Sequence, residues 1–269
     1  MDQPDLRLCR SLLFLPASNP RAIEKAASLA ADMVILDLED SVPAADKPAA
    51  REAAVAATRQ GFGGRPAAIR INPTGTGDYG DDVAAVRQSA ADYIVLAKAE
   101  SAKEVHDAGW LMGKPVLAMV ETPQAVIDAA AIAMGARGVI AGTNDLGAAL
   151  ALPADLGRGG LVYALQRIVL AARAAGVPAF DGVYNGLEAD AGLEAECREG
   201  RAWGFDGKSV IHPSQIETAN RLFSPTAEEL DQARRLIAAA TGGAERHEGR
   251  MVEAMHVETA HRLIAKARG

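Results

Sequence analysis

Short apolar segments alternate with longer amphipathic segments along most of this 269-residue chain. Each apolar segment has the length of a strand and is followed by residues of helical composition. Strands that are buried on both faces read as continuous apolar runs, so the alternation predicts an all-parallel sheet covered by helices. The eight predicted strands are Ser11–Pro16, Met33–Leu38, Ala67–Asn72, Tyr93–Ala97, Pro115–Glu121, Gly138–Gly142, Ala179–Gly182 and Gly207–Ile211.

Eight strand–helix units that close on themselves form a (β/α)8 TIM barrel, which is the α/β fold that we predict. An open doubly wound sheet is the alternative, but it usually carries a glycine-rich fingerprint after its first strand. This place holds Pro16-Ala17-Ser18-Asn19, which favours the barrel. The helices predicted around it are Pro20–Ala31, Asp46–Gln60, Asp81–Ala90, Ala102–Ala108, Pro123–Met134, Gly160–Ala175, Leu187–Trp203 and Pro213–Phe223.

Extra C-terminal helices follow the predicted barrel. They are Thr226–Ala240 and His256–Ala267, joined by the polar, glycine-bearing linker Gly242–Gly249. We therefore divide the chain into a catalytic barrel domain, residues 1–225, and a helical extension, residues 226–269. The last helix carries its apolar residues on one face, which can pack on its own barrel or on a neighbouring subunit.

Composition and charge narrow the class of protein. The chain is 49% hydrophobic but only 4% aromatic, so its core must consist mainly of small aliphatic residues. Its net charge of −7 argues against nucleic acid or a membrane surface as the main partner. Cys9 and Cys197 lie far apart and in no metal-binding pattern, which indicates free thiols and a reducing, cytoplasmic location.

Two predicted strands of neighbouring units lead directly to carboxylates, Glu121 and Asp145. In a parallel sheet both side chains would emerge at the same edge. Two oxygen ligands with no nearby cysteine or histidine suit Mg²⁺, which also binds substrate oxygens. The alternative is that each acid only caps the helix after its strand. The matching positions of the two acids favour a metal site.

Basic residues also follow the predicted strands. Arg70 lies in an otherwise apolar strand, where a guanidinium needs an anion. That anion is either Glu39 or Asp40 in a buried pair, or a substrate carboxylate or keto oxygen. Lys98 is either a Schiff-base nucleophile or an ion-pair partner of Glu100 or of the acids at the mouth. Asp181 and Lys208 also follow strands, and we expect all these groups to converge on one mouth, with His212 in a structural role.

Several motifs together resemble the citrate lyase beta-subunit family, within the HpcH/HpaI aldolase superfamily. The resemblance runs from residue 10 to residue 216 and extends more weakly into the C-terminal segment. The matching segments are Arg10-Ser11-Leu12-Leu13-Phe14-Leu15-Pro16, Leu36-Asp37-Leu38-Glu39-Asp40-Ser41-Val42 with Lys47, Arg70-Ile71-Asn72, Glu121-Thr122-Pro123, Gly142-Thr143-Asn144-Asp145-Leu146 and Gly204-Phe205-Asp206-Gly207-Lys208-Ser209-Val210-Ile211-His212-Pro213.

This resemblance implies a Mg²⁺-dependent lyase that splits a β-hydroxyacyl thioester into an α-keto acid and a shorter acyl thioester. The substrate would be a CoA or carrier-protein thioester, such as citryl-CoA, malyl-CoA or citramalyl-CoA. Family members usually assemble as trimers or hexamers. Carried over by motif, the metal ligands are Glu121 and Asp145, the catalytic residues are Arg70, Glu39, Asp40 and Glu253, and the substrate-binding residues are Arg70, Glu121, Thr143 and Asn144.

Two departures from the family pattern concern the ends of the chain. Pro16-Ala17-Ser18-Asn19 replaces the usual Pro-Gly with a following basic residue, in a loop that faces the thioester carrier. Glu253 stands where several lyases have an aspartate that reaches into the next subunit. Two other classes of function stay open: a thioester hydrolase with the same metal site, and a non-catalytic subunit, which the intact acids and Arg70 disfavour.

Overall fold

The computed structural model describes residues 5–153, 157–240, 245–247 and 250–267. Eight parallel strands form a closed barrel in which each strand pairs with the next and the eighth returns to the first. This confirms the predicted TIM-barrel fold. The strands are β1 (Ser11–Pro16), β2 (Met33–Asp37), β3 (Ala67–Ile71), β4 (Tyr93–Leu96), β5 (Val116–Val120), β6 (Gly138–Ala141), β7 (Ala179–Asp181) and β8 (Gly207–Val210).

Helices surround the barrel and extend beyond it. Asn19 caps the first helix as its position before Pro20 suggests, because its side chain accepts the Ala22 N–H at 3.1 Å. The helices are α1 (Pro20–Ala26), α2 (Lys47–Gln60), α3 (Tyr79–Arg87), α4 (Ala102–Met112), α5 (Pro123–Ile127), α6 (Ala129–Gly135), α7 (Thr143–Ala149), α8 (Val162–Ala175), α9 (Ala191–Ala202), α10 (Ser214–Phe223), α11 (Ala227–Ala239) and α12 (Ala254–Lys266).

Several helices differ from the prediction: α1 ends five residues early at Ala26, α4 continues to Met112, and three further differences have a local explanation. The single helix expected from Pro123 is divided into α5 and α6, because the backbone leaves the helical conformation at Asp128. Helix α9 begins at Ala191 rather than Leu187, since the Asp190 side chain caps its first turn. Helix α7 was not predicted, because its short polar sequence lacks an apolar period.

The positions of inward-facing side chains on the strands determine where polar groups meet. Side chains alternate along a strand, so Met33 and Ile35 of β2 face the apolar barrel interior and Asp37 is the next residue on that face. The second apolar layer lies between strands and helices and uses many alanines, such as Ala50 and Ala54 of α2, both fully buried. This confirms the predicted core of small aliphatic residues.

The C-terminal region is more ordered than the sequence suggests. Strands β9 (Glu245–His247) and β10 (Arg250–Val252) pair antiparallel, so a strand stands in the described part of the linker predicted over Gly242–Gly249. Residues 242–244 and 248–249 lie outside the described residues. Helix α12 packs against α11, and Lys266 donates to the Asp206 carbonyl just before β8. Within the described ranges, no helix combines the length and apolarity required to cross a membrane.

Candidate active site

A cavity of about 350 Å³ opens at the carboxyl-terminal ends of the barrel strands. This is the end at which barrels of parallel strands carry their chemistry. Apolar side chains, including Phe14, Met119 and Val183, form part of its wall. Its polar lining residues are Asp37, Asp40, Ser41, Arg70, Glu121, Thr143, Asn144, Asp145, Asn185 and Ser209.

Arg70 is held in the cavity wall by Asp37, a residue that we did not predict in the site. The two residues are paired in the β2–β3 register, and Nε and Nη2 of Arg70 each lie 2.6 Å from one Asp37 oxygen. The third nitrogen, Nη1, lies 3.2 Å from Glu39, and the guanidinium stacks over Phe14 at 5.3 Å. Burial raises the pKa of the Asp37 carboxyl, but the hydrogen bonds and charge of Arg70 outweigh this and lower it.

Glu39 and Asp40 meet Lys98, and only Glu39 also meets Arg70. Lys98 Nζ lies 2.5 Å from Glu39 and 3.3 Å from Asp40. The expectation that either acid could pair with Arg70 is therefore correct for Glu39 and wrong for Asp40. Burial raises the pKa of Glu39, although the charges of Arg70 and Lys98 oppose this. Lys98 acts here as an ion-pair partner of the mouth carboxylates, one of its two predicted roles.

Glu121 is buried beneath the cavity and makes no cap to the following helix. Its Oε1 accepts the backbone N–H of Lys98 at 2.7 Å, while Thr122 caps α5. The carboxylate fits only because position 142 is glycine: a Cβ on Gly142 would lie 2.3 Å from the Glu121 carboxylate. Burial, together with the charges of Glu39 and Asp145, raises the pKa of Glu121 to about 8.

Asp145 lies in the first turn of α7, where it faces the cavity with a half-exposed side chain. Its oxygen lies 3.7 Å from Lys98 Nζ, and no side-chain cap is formed at this helix start. Glu121 and Asp145 thus line one cavity as unpaired or weakly paired acids, rather than serving as helix caps. Among the described residues, no group of three or more histidine, cysteine, aspartate or glutamate residues has metal-site geometry.

This pair of acids nevertheless fits a magnesium-type cation. Mg²⁺ keeps several waters and is commonly held by one or two carboxylates together with substrate oxygens. The pKa of Glu121 is raised because burial and the neighbouring acids disfavour the charged form of its carboxyl group. A divalent cation bound there would stabilise that charged form. Glu121 and Asp145 are therefore the residues that could hold the metal.

Thr143 and Asn144 also line the cavity, as predicted for substrate-binding residues. The buried Thr143 hydroxyl has no hydrogen-bond partner within the described structure, and the same holds for Ser209 on β8. Asn144 exchanges two hydrogen bonds with Asn185, at 3.0 and 2.8 Å. Ser209 and Asn185 escaped the sequence analysis, although Ser209 belongs to a motif quoted there and lies on the inward face of its strand.

Asp181 and Lys208 do not join this mouth, which corrects the prediction that all strand-end polar groups converge there. They are fully buried, and Lys208 Nζ lies 3.4 Å from Asp181 and 3.0 Å from Glu196 of α9. Phe180 occupies the inward position on β7, so the next residue, Asp181, faces the surrounding helices. His212 contacts the Ser214 hydroxyl at 2.8 Å, consistent with the predicted structural role.

Glu253 precedes α12 and lies outside the cavity lining of its own chain. Its backbone N–H donates to Nδ1 of His256 at 3.0 Å. The structure holds a single chain in which α12 packs on α11, so an approach of Glu253 to a neighbouring subunit stays a prediction.

Two protein families and several known proteins match this chain. The family described as HpcH/HpaI aldolase/citrate lyase matches residues 10–213, and the family described as C-C bond lyase of the TIM-barrel fold matches residues 162–269. A (3S)-malyl-CoA thioesterase from Cereibacter sphaeroides is 42% identical over 269 residues, covering 96% of this chain and 94% of that protein.

Mycobacterium tuberculosis provides further relatives. Its citrate lyase subunit beta-like protein is 38% identical over 267 residues, with 95% of each chain covered. The crystal structure of its protein CitE in complex with magnesium, acetoacetate and coenzyme A is similar at a TM-score of 0.84. That match has 37% identity and covers 98% of this chain and all of the other.

Proposed function

This chain belongs to the HpcH/HpaI aldolase/citrate lyase family, and we propose that it is a Mg²⁺-dependent lyase that cleaves malyl-CoA or a close β-hydroxyacyl-CoA. The products are an α-keto acid and a shorter acyl-CoA. One observation carries the proposal: an aspartate-held guanidinium and two acids without strong cationic partners line the same cavity. The malyl group is proposed because relatives at 40–42% identity are named for malyl-CoA, and CoA because a structural neighbour contains it.

The metal role in this proposal falls to Glu121 and Asp145. They would hold Mg²⁺ from the floor and the rim of the cavity, and the other coordination positions would remain for water and substrate. When bound, the ion supplies Lewis-acid polarisation of the substrate oxygens. Gly142 keeps the space that the Glu121 carboxylate requires.

Arg70 has the electrostatic role. Asp37 fixes Nε and Nη2, so the guanidinium has one orientation before substrate arrives. A preorganised cation stabilises negative charge that develops on the keto-acid fragment as the carbon–carbon bond breaks. Glu39 contacts both Arg70 and Lys98 and fixes their relative position, while Thr143 and Asn144 offer hydrogen bonds to the substrate.

A thioester hydrolase is the second candidate, because the relatives with 40–42% identity are named as thioesterases. In that reaction water attacks the thioester carbonyl carbon, and the hydroxy acid and the CoA thiol are released. The same cavity and acids would serve. The site contains no serine–histidine or cysteine–histidine pair among its described lining residues, so the hydrolase would use water directly.

Product analysis tests the proposal. Purified protein is given malyl-CoA, citryl-CoA or citramalyl-CoA with Mg²⁺, and α-keto acid and free thiol are measured in parallel. A lyase releases keto acid without thiol, whereas a hydrolase releases thiol without keto acid. Thiol release alone would replace the lyase with the second candidate, and neither product from any of these esters would overturn both.

Assembly and location are part of the same proposal. We infer a cytoplasmic homotrimer or hexamer; the buried free thiols Cys9 and Cys197 support a reducing compartment. Glu253 would enter the site of a neighbouring subunit as the acid that protonates the acyl-CoA enolate. Mixing inactive Asp145→Ala and Glu253→Ala proteins under subunit exchange should restore activity. Continued inactivity, with exchange verified and Glu253→Ala inactive alone, would rule out this arrangement.

A further inference from the structure

Lys98 contacts both carboxylates of the proposed metal site. Its backbone N–H donates to Glu121 at 2.7 Å, and its Nζ lies 3.7 Å from Asp145. The proposed reaction uses Arg70 for the substrate and the two acids for the metal, and it gives Lys98 no role. The residue therefore requires its own explanation.

The backbone of Lys98 does not explain why a lysine is present. Its φ of +47° lies in the left-handed region, where a residue other than glycine is strained. Glycine would adopt this conformation freely and would donate the same N–H to Glu121. The presence of lysine at a strained position therefore points to its ammonium group.

The ammonium group lies among three acids from two parts of the barrel mouth. It contacts Glu39 and Asp40 after β2, at 2.5 and 3.3 Å, and Asp145 of α7 at 3.7 Å. Its side chain is about one-third exposed, so solvent reaches the ammonium group. A divalent cation on Asp145 would share that carboxylate with the ammonium group, and two cations this close repel each other.

We propose that Lys98 is a positioning residue that opposes a divalent cation at Asp145 and so limits the affinity of the site for metal. The inference rests on the proposed metal ligands, Glu121 and Asp145. A site that binds metal more weakly releases its ion more readily to solution. The same ammonium group also holds Glu39 in contact with Arg70.

Calorimetric titration of EDTA-treated protein with Mg²⁺ tests the proposal without measuring activity. Lys98→Gln keeps a hydrogen-bond donor but removes the charge, so the Mg²⁺ Kd should fall roughly tenfold. Lys98→Arg keeps the charge and should stay within about twofold of the wild type. Lys103→Gln is the matched control, because Lys103 forms an exposed pair with Asp107 on α4, and its Kd should not change.

The direction of the change separates this proposal from a structural role. If Lys98 merely supported the site, its loss would weaken metal binding. Equal or weaker binding by Lys98→Gln, with circular dichroism showing a folded protein, therefore overturns the proposal. Lys98→Met, which keeps the aliphatic stem, replaces this variant if it does not fold.

Two further variants keep failure of this proposal distinct from failure of the metal site. Glu121→Ala and Asp145→Ala should each abolish Mg²⁺ binding in the same titration. If they do and Lys98→Gln does not bind more tightly, only the role of Lys98 is wrong. If both alanine variants bind as the wild type does, the proposed metal site is wrong and the inference falls with it.

Discussion

Two clusters of charged residues, each with fully buried members, lie in this barrel, and they differ in pairing and in access. The mouth cluster contains five acids and two bases and borders an open cavity: Asp37, Glu39, Asp40, Glu121 and Asp145 with Arg70 and Lys98. The outer cluster, between the barrel and α9, contains three acids and two bases: Asp181, Glu196 and Glu199 with Arg158 and Lys208.

In the outer cluster each buried charge has an opposite partner. Arg158 contacts Asp181 with two nitrogens, at 2.5 and 3.0 Å, and stacks over Trp203 at 4.9 Å. Lys208 contacts Asp181 and Glu196 and also donates to the Gly182 carbonyl at 2.8 Å. Buried ions that are paired and hydrogen-bonded in this way hold elements together and leave little capacity for a ligand.

In the mouth cluster one buried acid lacks such a partner. Glu121 is 2% exposed, and no lysine or arginine of the described chain lies within ion-pair distance of it. Its carboxylate is stabilised mainly by one backbone N–H. The comparison indicates that a buried acid without a cationic partner beside a cavity marks the proposed reaction site, whereas acids that are each paired between barrel and helix mark structure.

The largest effect should follow removal of either acid proposed to bind metal. Glu121→Ala or Asp145→Ala should reduce Mg²⁺-dependent kcat/KM roughly a thousandfold, about 4 kcal/mol, because the Lewis-acid contribution is lost. The thermal midpoint of the metal-free protein should change little, since neither acid forms a close ion pair with a lysine or arginine of the described chain. Glu100→Ala, an exposed acid bonded to Thr122, is the control and should keep full activity. Normal turnover of either variant at limiting Mg²⁺ would contradict the assignment.

The outer cluster should give the opposite response. Asp181→Asn breaks a buried pair and should lower the free energy of unfolding by about 3–5 kcal/mol. Activity measured well below the melting temperature should change little. Asp107→Asn breaks only the exposed pair with Lys103 and should cost less than about 1 kcal/mol. Denaturant titration measures the free energy of unfolding of both variants. A large loss of kcat without loss of stability in Asp181→Asn would contradict a purely structural role for the outer cluster.

A smaller effect is expected for the guanidinium of the mouth. Arg70→Lys keeps the charge but cannot hold both Asp37 oxygens and reach the substrate, so kcat/KM should fall about tenfold, or about 1.4 kcal/mol. Arg167→Lys on α8, which binds only backbone carbonyls of α5, is the matched control. Equal kinetics for Arg70→Lys and the wild type would reduce Arg70 to a structural partner of Asp37.

The barrel could be predicted because its strands are buried on both faces and so read as apolar runs of similar length. The placement of Glu121, Asp145 and Arg70 at the mouth also followed, since each lies at or near the carboxyl end of a predicted strand. The pairing of Asp37 with Arg70 could not, because it depends on the register between two strands. Side chains alternate between the two faces of a strand, and this rule applied to β7 predicts that Asp181 faces away from the mouth.

Local conformations were harder to predict than the fold. The positive φ of Lys98 directs its N–H to Glu121 and its ammonium group to Glu39. The sequence shows only that a polar residue follows an apolar strand, and this does not predict the backbone angle. Strands β9 and β10 have three residues each and β9 is entirely polar, so this segment resembles a linker in sequence. In each case contacts made elsewhere in the chain override the local pattern.

A further expected effect, on melting temperature rather than on activity, concerns pH and Glu121 in metal-free protein. Burial and the nearby acids raise its pKa to about 8 from an unfolded value of 4.5, so the folded state holds this proton more tightly. Its contribution favours folding at low pH and is lost as the pH rises through about 8. In EDTA, the wild-type melting temperature should therefore fall relative to Glu121→Gln between about pH 5 and about pH 8.

Saturating Mg²⁺ should reverse this trend. Metal binds the deprotonated carboxylate and releases its proton, so stabilisation by Mg²⁺ should grow with pH in the wild type. Glu121→Gln keeps the shape of the side chain but carries no titrating proton, so its response to Mg²⁺ should be small at every pH. Parallel melting curves for the two proteins, with and without metal, would mean that Glu121 is already ionised in the metal-free protein and does not bind the ion.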